Sequence, residues 1–390
     1  MMPVMEQNLR TPGPTPIPQA VRDAQGQQMV DHRGTEFAEL LRDTTAGLAE
    51  LIGTDGEVLL LTGSGSGALE AAVVNTLSPG DQVLSVNIGA FGDRFADIAT
   101  TFGADVDALR FEWGTSADPD AVRERLASGG PYRAVLVTHN ETSTGVANPM
   151  RELADVVRSA PGDPLLLVDG ISGLGAMPFE MDDWGIDVVV SASQKAFMAS
   201  PGMSIAALSE RGWAATETAR MPRFYWSFAE ARTWAEKGQT PWTPAVAVLY
   251  GLRIGVRRLM EEGRERTWAR HQAIAAGSQA GLEGLGLRLV ARPEDRSATV
   301  TAAWLPDGLD WAPFNADMRS RGLVVAGGQG KWAGKIMRFG HMGMVEIDEM
   351  VDAVRVMGET MADHGFGTDV TAACQATRDA YEASRSAAAR

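Results

Sequence analysis

Short apolar runs at residues 58–61, 83–86, 134–138, 165–168 and 188–190 constrain the fold of this chain more than any other feature. A strand with one wet face alternates apolar and polar residues. These runs are nearly continuous, so they must be covered on both faces. Helical stretches such as residues 150–160 fall between several of them. Strands and helices in alternation give an α/β fold, with a mostly parallel mixed sheet flanked by helices. Such sheets gather ligands at the carboxyl ends of their strands.

At 390 residues the chain exceeds what one hydrophobic core usually serves, and its pattern changes along its length. Thr11-Pro12-Gly13-Pro14-Thr15-Pro16-Ile17-Pro18 holds too many prolines for a helix or a central strand. Residues 1–20 therefore read as an extended N-terminal arm laid over another part of the chain, or as a plain linker. Residues 21–260 carry the apolar runs and form the large domain, and a long helical region extends from about residue 246 to 282. Val300-Thr301-Ala302-Ala303-Trp304, a helix near 314–321, Leu323-Val324-Val325 and Ile336-Met337-Arg338-Phe339 read as a smaller C-terminal α+β domain over residues 261–362. Residues 363–390 are alanine-rich and polar, and read as a surface helix or a frayed tail.

Composition narrows the function. A net charge of −15 argues against a sequence-independent grip on nucleic acid, yet permits a local pocket for a phosphate or carboxylate. The one cysteine, Cys374, cannot form an intramolecular disulfide or a thiolate zinc site, and nothing before Thr11 resembles an export signal. A cytoplasmic protein is expected. No apolar run approaches the ~20 residues of a membrane-spanning helix.

Chemistry concentrates in a few places. Gly63-Ser64-Gly65-Ser66-Gly67 lies between a strand and a helix, where backbone N–H groups and the helix dipole suit a phosphate. It is neither a nucleoside-triphosphate loop, since Ala68-Leu69 stands where Lys and Ser or Thr belong, nor a good dinucleotide fingerprint. An ordinary tight turn fits it equally well. Asp169 ends the 165–168 run and reads as a helix cap, a metal ligand or the partner of a cation. No second carboxylate or histidine lies near it in sequence, so no metal is expected. A protonated pyridine nitrogen is one such cation. Lys195 follows Ser191-Ala192-Ser193-Gln194 directly after a buried strand, 26 residues beyond Asp169. Most lysines are solvated, but an apolar setting would depress this one's pKa and favour an amine that condenses with a carbonyl.

Thr11-Pro12-Gly13-Pro14-Thr15, residues 63–70, Thr138-His139-Asn140-Glu141-Thr142-Ser143-Thr144-Gly145, Asp169-Gly170, Ser193-Gln194-Lys195 and Arg338-Phe339-Gly340-His341-Met342-Gly343 occur in this order. In order and spacing the chain, over roughly residues 9–360, resembles the class V aminotransferases of pyridoxal 5′-phosphate (PLP) fold type I. The resemblance is especially to the alanine–glyoxylate and serine–glyoxylate (serine–pyruvate) enzymes.

The resemblance implies PLP as cofactor, Lys195 as its Schiff-base lysine and Asp169 as the partner of the pyridine nitrogen. It implies Ser64, Gly65 and Ser66 as a phosphate cup, with Gln194 facing the same phosphate. Thr142 would bond the phenolic oxygen, Ile171 would pack beneath the ring, and Phe91 would stack on it where some relatives carry Trp or Tyr. Thr243, and less closely Thr240, match a segment that reaches the phosphate of a neighbouring subunit, which implies a homodimer with shared sites. Arg338 would bind the substrate α-carboxylate, and Gly13 also belongs to the substrate site. His32 and Arg33 would lie near the substrate entrance, and His341 reads as structural.

The implied reaction is ping-pong transamination between a small amino acid (alanine or serine) and a small 2-oxo acid (glyoxylate or pyruvate). 2-Aminoethylphosphonate–pyruvate transamination is the alternative, but its enzymes commonly have Asn where Gln194 stands. A cysteine desulfurase would need a cysteine on a mobile loop, and Cys374 lies in the tail. A non-catalytic assembly subunit would not need Lys195, Asp169 and Arg338 together.

Overall fold

The computed structural model describes residues 7–388. The apolar runs become strands of a seven-stranded sheet, ordered Glu57–Gly63, Gly202–Leu208, Val188–Ala192, Leu165–Asp169, Ala134–Thr138, Gln82–Asn87 and Asp105–Arg110. Only Gly202–Leu208 runs antiparallel to its neighbours. Consecutive strand residues point to opposite faces, and each face has its own apolar layer. Leu60, Val86, Val137, Val168 and Val189 pack with Leu48, Phe197 and Leu249 on one side. Leu61, Leu136, Leu167 and Val190 pack with Leu69, Val73, Phe95 and Phe228 on the other.

A second sheet holds Asn8–Arg10, Leu323–Gly327, Ile336–Gly340 and Val300–Trp304, in that order. The opening arm is thus partly a strand: Asn8–Arg10 pairs in parallel with Leu323–Gly327 across most of the chain. Its first six residues lie outside the described ones. The expected long helix is two helices, Val246–Glu262 and Arg264–Gly284, parted at Gly263, whose φ of 86° interrupts the helix. Val246–Glu262 contributes Leu249, Leu252 and Val256 to the large sheet's core, whereas Ile274 and Leu282 of Arg264–Gly284 join the core of the second sheet.

The tail is a docked helix, not a frayed end. Val370–Ala388 lies on Arg264–Gly284 where Gly277, Gly281 and Gly284 share one face. A Cβ at Gly281 would come 2.2 Å from Thr377 Oγ1, and one at Gly284 2.9 Å from the Ala373 backbone, so these glycines set the approach. His341 is fully buried and shares a 2.9 Å hydrogen bond with Thr301 Oγ1, a core role. Among the described residues no helix is long and apolar enough to cross a membrane.

Candidate active site

Parallel strands end together, and their following loops meet over one edge of the sheet. Glu57–Gly63 leads into Ser64, Gly65 and Ser66, and Gln82–Asn87 leads to Phe91. Ala134–Thr138 leads to Asn140 and Thr142, Leu165–Asp169 ends in Asp169 before Ile171, and Val188–Ala192 leads to Gln194 and Lys195. All of these, with Leu69, Arg94 and Ser172, line one cleft of about 600 Å³.

The glycine loop is tight because of what presses on it. A Cβ at Gly63 or Gly67 would come 2.4 or 2.5 Å from the Trp226 ring, and one at Gly65 2.7 Å from Ile171 Cδ1. Ser64 caps the helix Gly65–Thr76 by accepting from Gly67 N–H at 3.4 Å.

Asp169 is 3% exposed, and burial pushes its carboxyl up to about 7, against the Ile171 N–H that donates to it at 2.9 Å. Lys195 is partly buried; burial lowers its amine to about 8, with Asp169 opposing and Arg338 and Arg94 adding to the shift. The amine donates to Pro12 O at 2.5 Å. Thr15 grips the same segment, its N–H donating to Gln194 O at 3.2 Å and its hydroxyl to Lys195 O at 3.0 Å. The proline-rich arm therefore lies over the lysine. Gly13, at φ 122°, touches its side chain: a Cβ there would stand 2.5 Å from Lys195 Nζ.

Arg338 comes from the second sheet to the back of Thr142 and does not itself line the cleft. It is 7% exposed; its Nε donates to Gly327 O at 2.8 Å and its Nη1 to Thr142 O at 3.4 Å. Burial lowers it to about 10 while Glu141 opposes the shift, and among the described residues it has no carboxylate partner within 4.0 Å. Two buried acceptors on the cleft wall, Gln194 Oε1 and Asn140 Oδ1, also have no hydrogen-bond partner. Unmet buried polar atoms of this kind point to a polar ligand.

The other expected residues divide. Thr142 is buried on the wall, with Phe91 and Ile171 facing the same space. Thr243 is exposed and does not line this cleft. Neither do His32 and Arg33; Arg33 donates to Gln239 Oε1 at 3.0 Å and Thr240 O at 2.7 Å. Sequence reasoning assigned nothing to Arg94, which donates to Ser66 Oγ at 3.3 Å and lies 4.8 Å over the Phe91 ring. Its place one helical turn after Phe91 was the available signal. Asn140 and Glu141 belong to the motif at residues 138–145, and the resemblance implies no role for either.

The sequence pattern of the family described as aminotransferase class-V matches residues 9–343. The chain belongs to the class V aminotransferases. It is 35% identical to the L-aspartate–glyoxylate aminotransferase of Paracoccus denitrificans over 97% of this chain and 96% of that one. It is 33% identical to the serine–glyoxylate aminotransferase of Methylorubrum extorquens, covering 95% and 96%. The solved ureidoglycine–glyoxylate aminotransferase of Bacillus subtilis superposes with a TM-score of 0.91 at 27% identity, covering 96% and 98%. This aminotransferase therefore has the PLP type I fold, depends on PLP and acts on small amino and oxo acids. The cleft fits that cofactor: it offers a depressed amine, a buried carboxylate and a helix N-terminus.

Proposed function

We propose that the enzyme transfers an amino group between alanine or serine and glyoxylate or pyruvate, in two half-reactions that share the cleft. The observation that carries this reading is Arg338, a buried guanidinium beside Thr142 with no carboxylate partner. A buried cation needs an anion, and a planar two-pronged donor suits a carboxylate. Arg94, the one arginine lining the cleft, is engaged with Ser66 and the Phe91 face, which favours a donor whose side chain is short and uncharged.

When bound, PLP supplies an aldehyde and a ring that accepts electrons. Ser64, Gly65, Ser66 and Gln194 hold its phosphate at the start of helix Gly65–Thr76. Asp169 would keep the ring nitrogen protonated, Thr142 would bond the phenolic oxygen, and Phe91 and Ile171 would enclose the ring. Lys195 anchors the aldehyde carbon. Once freed by the substrate amine, it would take the proton from the substrate α-carbon and deliver it to the former aldehyde carbon, a task helped by an amine lowered to about 8. Gly13 leaves the lysine room on the arm side.

The active unit in this reading is a cytoplasmic homodimer in which Thr243 of each protomer completes the other's phosphate site. Its exposure outside its own cleft supports this, as does a neighbouring apolar patch. Phe224 is 75% and Tyr225 40% exposed, with Trp242 lying 4.7 and 6.0 Å from their rings. A donor and acceptor screen tests the substrate reading. Alanine or serine with glyoxylate or pyruvate should give the highest kcat/KM. Aspartate outrunning both would overturn it and make Arg94 a reader of a distal carboxylate. A colourless, inactive chain after addition of PLP would favour the assembly-subunit alternative.

A further inference from the structure

Helix Ala90–Thr101 carries Phe91 in its first turn, yet its own N-cap position is Gly89, which offers no side chain. Uncapped first-turn N–H groups are costly when buried. Here they are met from another strand end. Glu141 Oε2 accepts from Phe91 N–H at 3.0 Å and Gly92 N–H at 3.1 Å, and Ser143 Oγ accepts from Ala90 N–H at 2.9 Å. Glu141 Oε1 in turn accepts from Ser143 N–H at 3.0 Å and from Ser143 Oγ at 2.6 Å. The carboxylate is fully buried, and all four of its contacts come from neutral donors.

Gly89 has φ 177°, extended backbone open to any residue, so its conformation does not call for glycine. Space does. A Cβ there would stand 2.3 Å from Glu141 Cγ and 2.5 Å from Ser143 Oγ. The glycine makes room for a cap delivered from 52 residues downstream, and that cap joins the loop bearing Thr142 to the helix bearing Phe91.

We infer that Glu141 is a positioning residue for cofactor binding: its carboxylate fixes the helix end that sets the Phe91 ring against the cleft. This role rests on the reading above that Phe91 faces the cofactor ring. Glu141→Gln keeps the shape, but its amide nitrogen cannot accept, so one of the two donor pairs loses its partner.

The test is a double-mutant cycle on PLP affinity, with the full-length chain titrated and followed by visible absorbance. Glu141→Gln and Phe91→Ala should each weaken PLP binding by roughly ten-fold, the scale of one lost hydrogen bond or stacking contact. The double variant should bind no more weakly than Phe91→Ala alone. Losses that multiply would overturn the inference, as would an unchanged affinity in Glu141→Gln. Phe91→Ala binding PLP normally would sink the stacking assignment, and the inference with it.

Should Glu141→Gln not fold, Gly89→Asp combined with Glu141→Ala supplies a local cap in the vacated space. That variant should recover parental PLP affinity along with the parental melting temperature. Recovered stability without recovered affinity would overturn the inference.

Discussion

Replacing Arg338 with lysine separates charge from geometry at the proposed carboxylate site. In the parent, Nε is held by Gly327 O at 2.8 Å and Nη1 leans on Thr142 O at 3.4 Å, which orients the guanidinium plane without neutralising it. Lysine retains a point charge but has no fork, and its ammonium must also serve whichever of these carbonyls it can reach. The loss should equal one to two hydrogen bonds to a charged group, about 1.5–3 kcal/mol, or roughly ten- to a hundred-fold in kcat/KM. The position is 7% exposed, so water will not replace the missing donors readily. Steady-state kinetics of both half-reactions with alanine and glyoxylate give the number. Amines without an α-carboxylate serve as the control and should change little. Unaltered constants for alanine and glyoxylate would show that Arg338 does not read the carboxylate.

Gly13→Ala places a methyl 2.5 Å from Lys195 Nζ at φ 122°, a conformation costing an L-residue about 1–3 kcal/mol. Single-turnover kinetics should show a slower proton-transfer step, and a parental rate would mean that the arm yields freely. Asp169→Asn should lower the rate steeply while PLP is still bound, because an unprotonated ring accepts electrons poorly, and an unchanged rate would reduce Asp169 to a turn-former. Asp169 also makes the cofactor-free chain pH-dependent. Its folded pKa of about 7 lies above the ordinary aspartate value of 3.8, so between these limits the native state holds the extra proton and stability falls as pH rises. The slope approaches about 1.4 kcal/mol per pH unit. Burial also raises Glu141 and Asp187, so melting curves from pH 4 to 7 should fall in both proteins but more steeply in the parent than in Asp169→Asn; parallel curves would contradict the shift. Dilution should lower activity and PLP occupancy together if Thr243 completes the partner's site, whereas a fully active monomer in sedimentation would exclude that arrangement.

What the sequence made legible followed from burial. Runs such as Leu165-Leu166-Leu167-Val168 are covered on both faces, so their composition alone marks them as strands and places Asp169 at a strand end. Asp105–Arg110 escaped because it is the sheet's edge: Asp105, Asp107 and Arg110 interrupt it, and none of its residues is fully buried. Gly202–Leu208 escaped for a different reason. It returns antiparallel after Lys195 with no helix between, so the strand–helix rhythm gives no cue to it. The pairing of Asn8–Arg10 with Leu323–Gly327 is set by contacts more than 300 residues apart in sequence, which no local pattern records. Arg94 and Glu141 were hidden in the same way. A charged residue on a helix normally reads as solvated surface, and a Glu beside Asn and Thr as a loop. Only the folded chain brings Arg94 to Ser66 and Glu141 to the Phe91 N–H.

The central claim is that Lys195 carries the cofactor, and the chain makes it unusually easy to test. Its lysines are Lys195, Lys237, Lys331 and Lys335, of which the last three are exposed. Borohydride reduction of the PLP-loaded enzyme, followed by digestion and mass spectrometry, should find the cofactor on the peptide containing Lys195. In Lys195→Ala no peptide should be labelled and turnover should cease, with the fold intact by circular dichroism. Cofactor fixed on Lys237, Lys331 or Lys335 in the parent, or normal turnover in Lys195→Ala, would contradict the account.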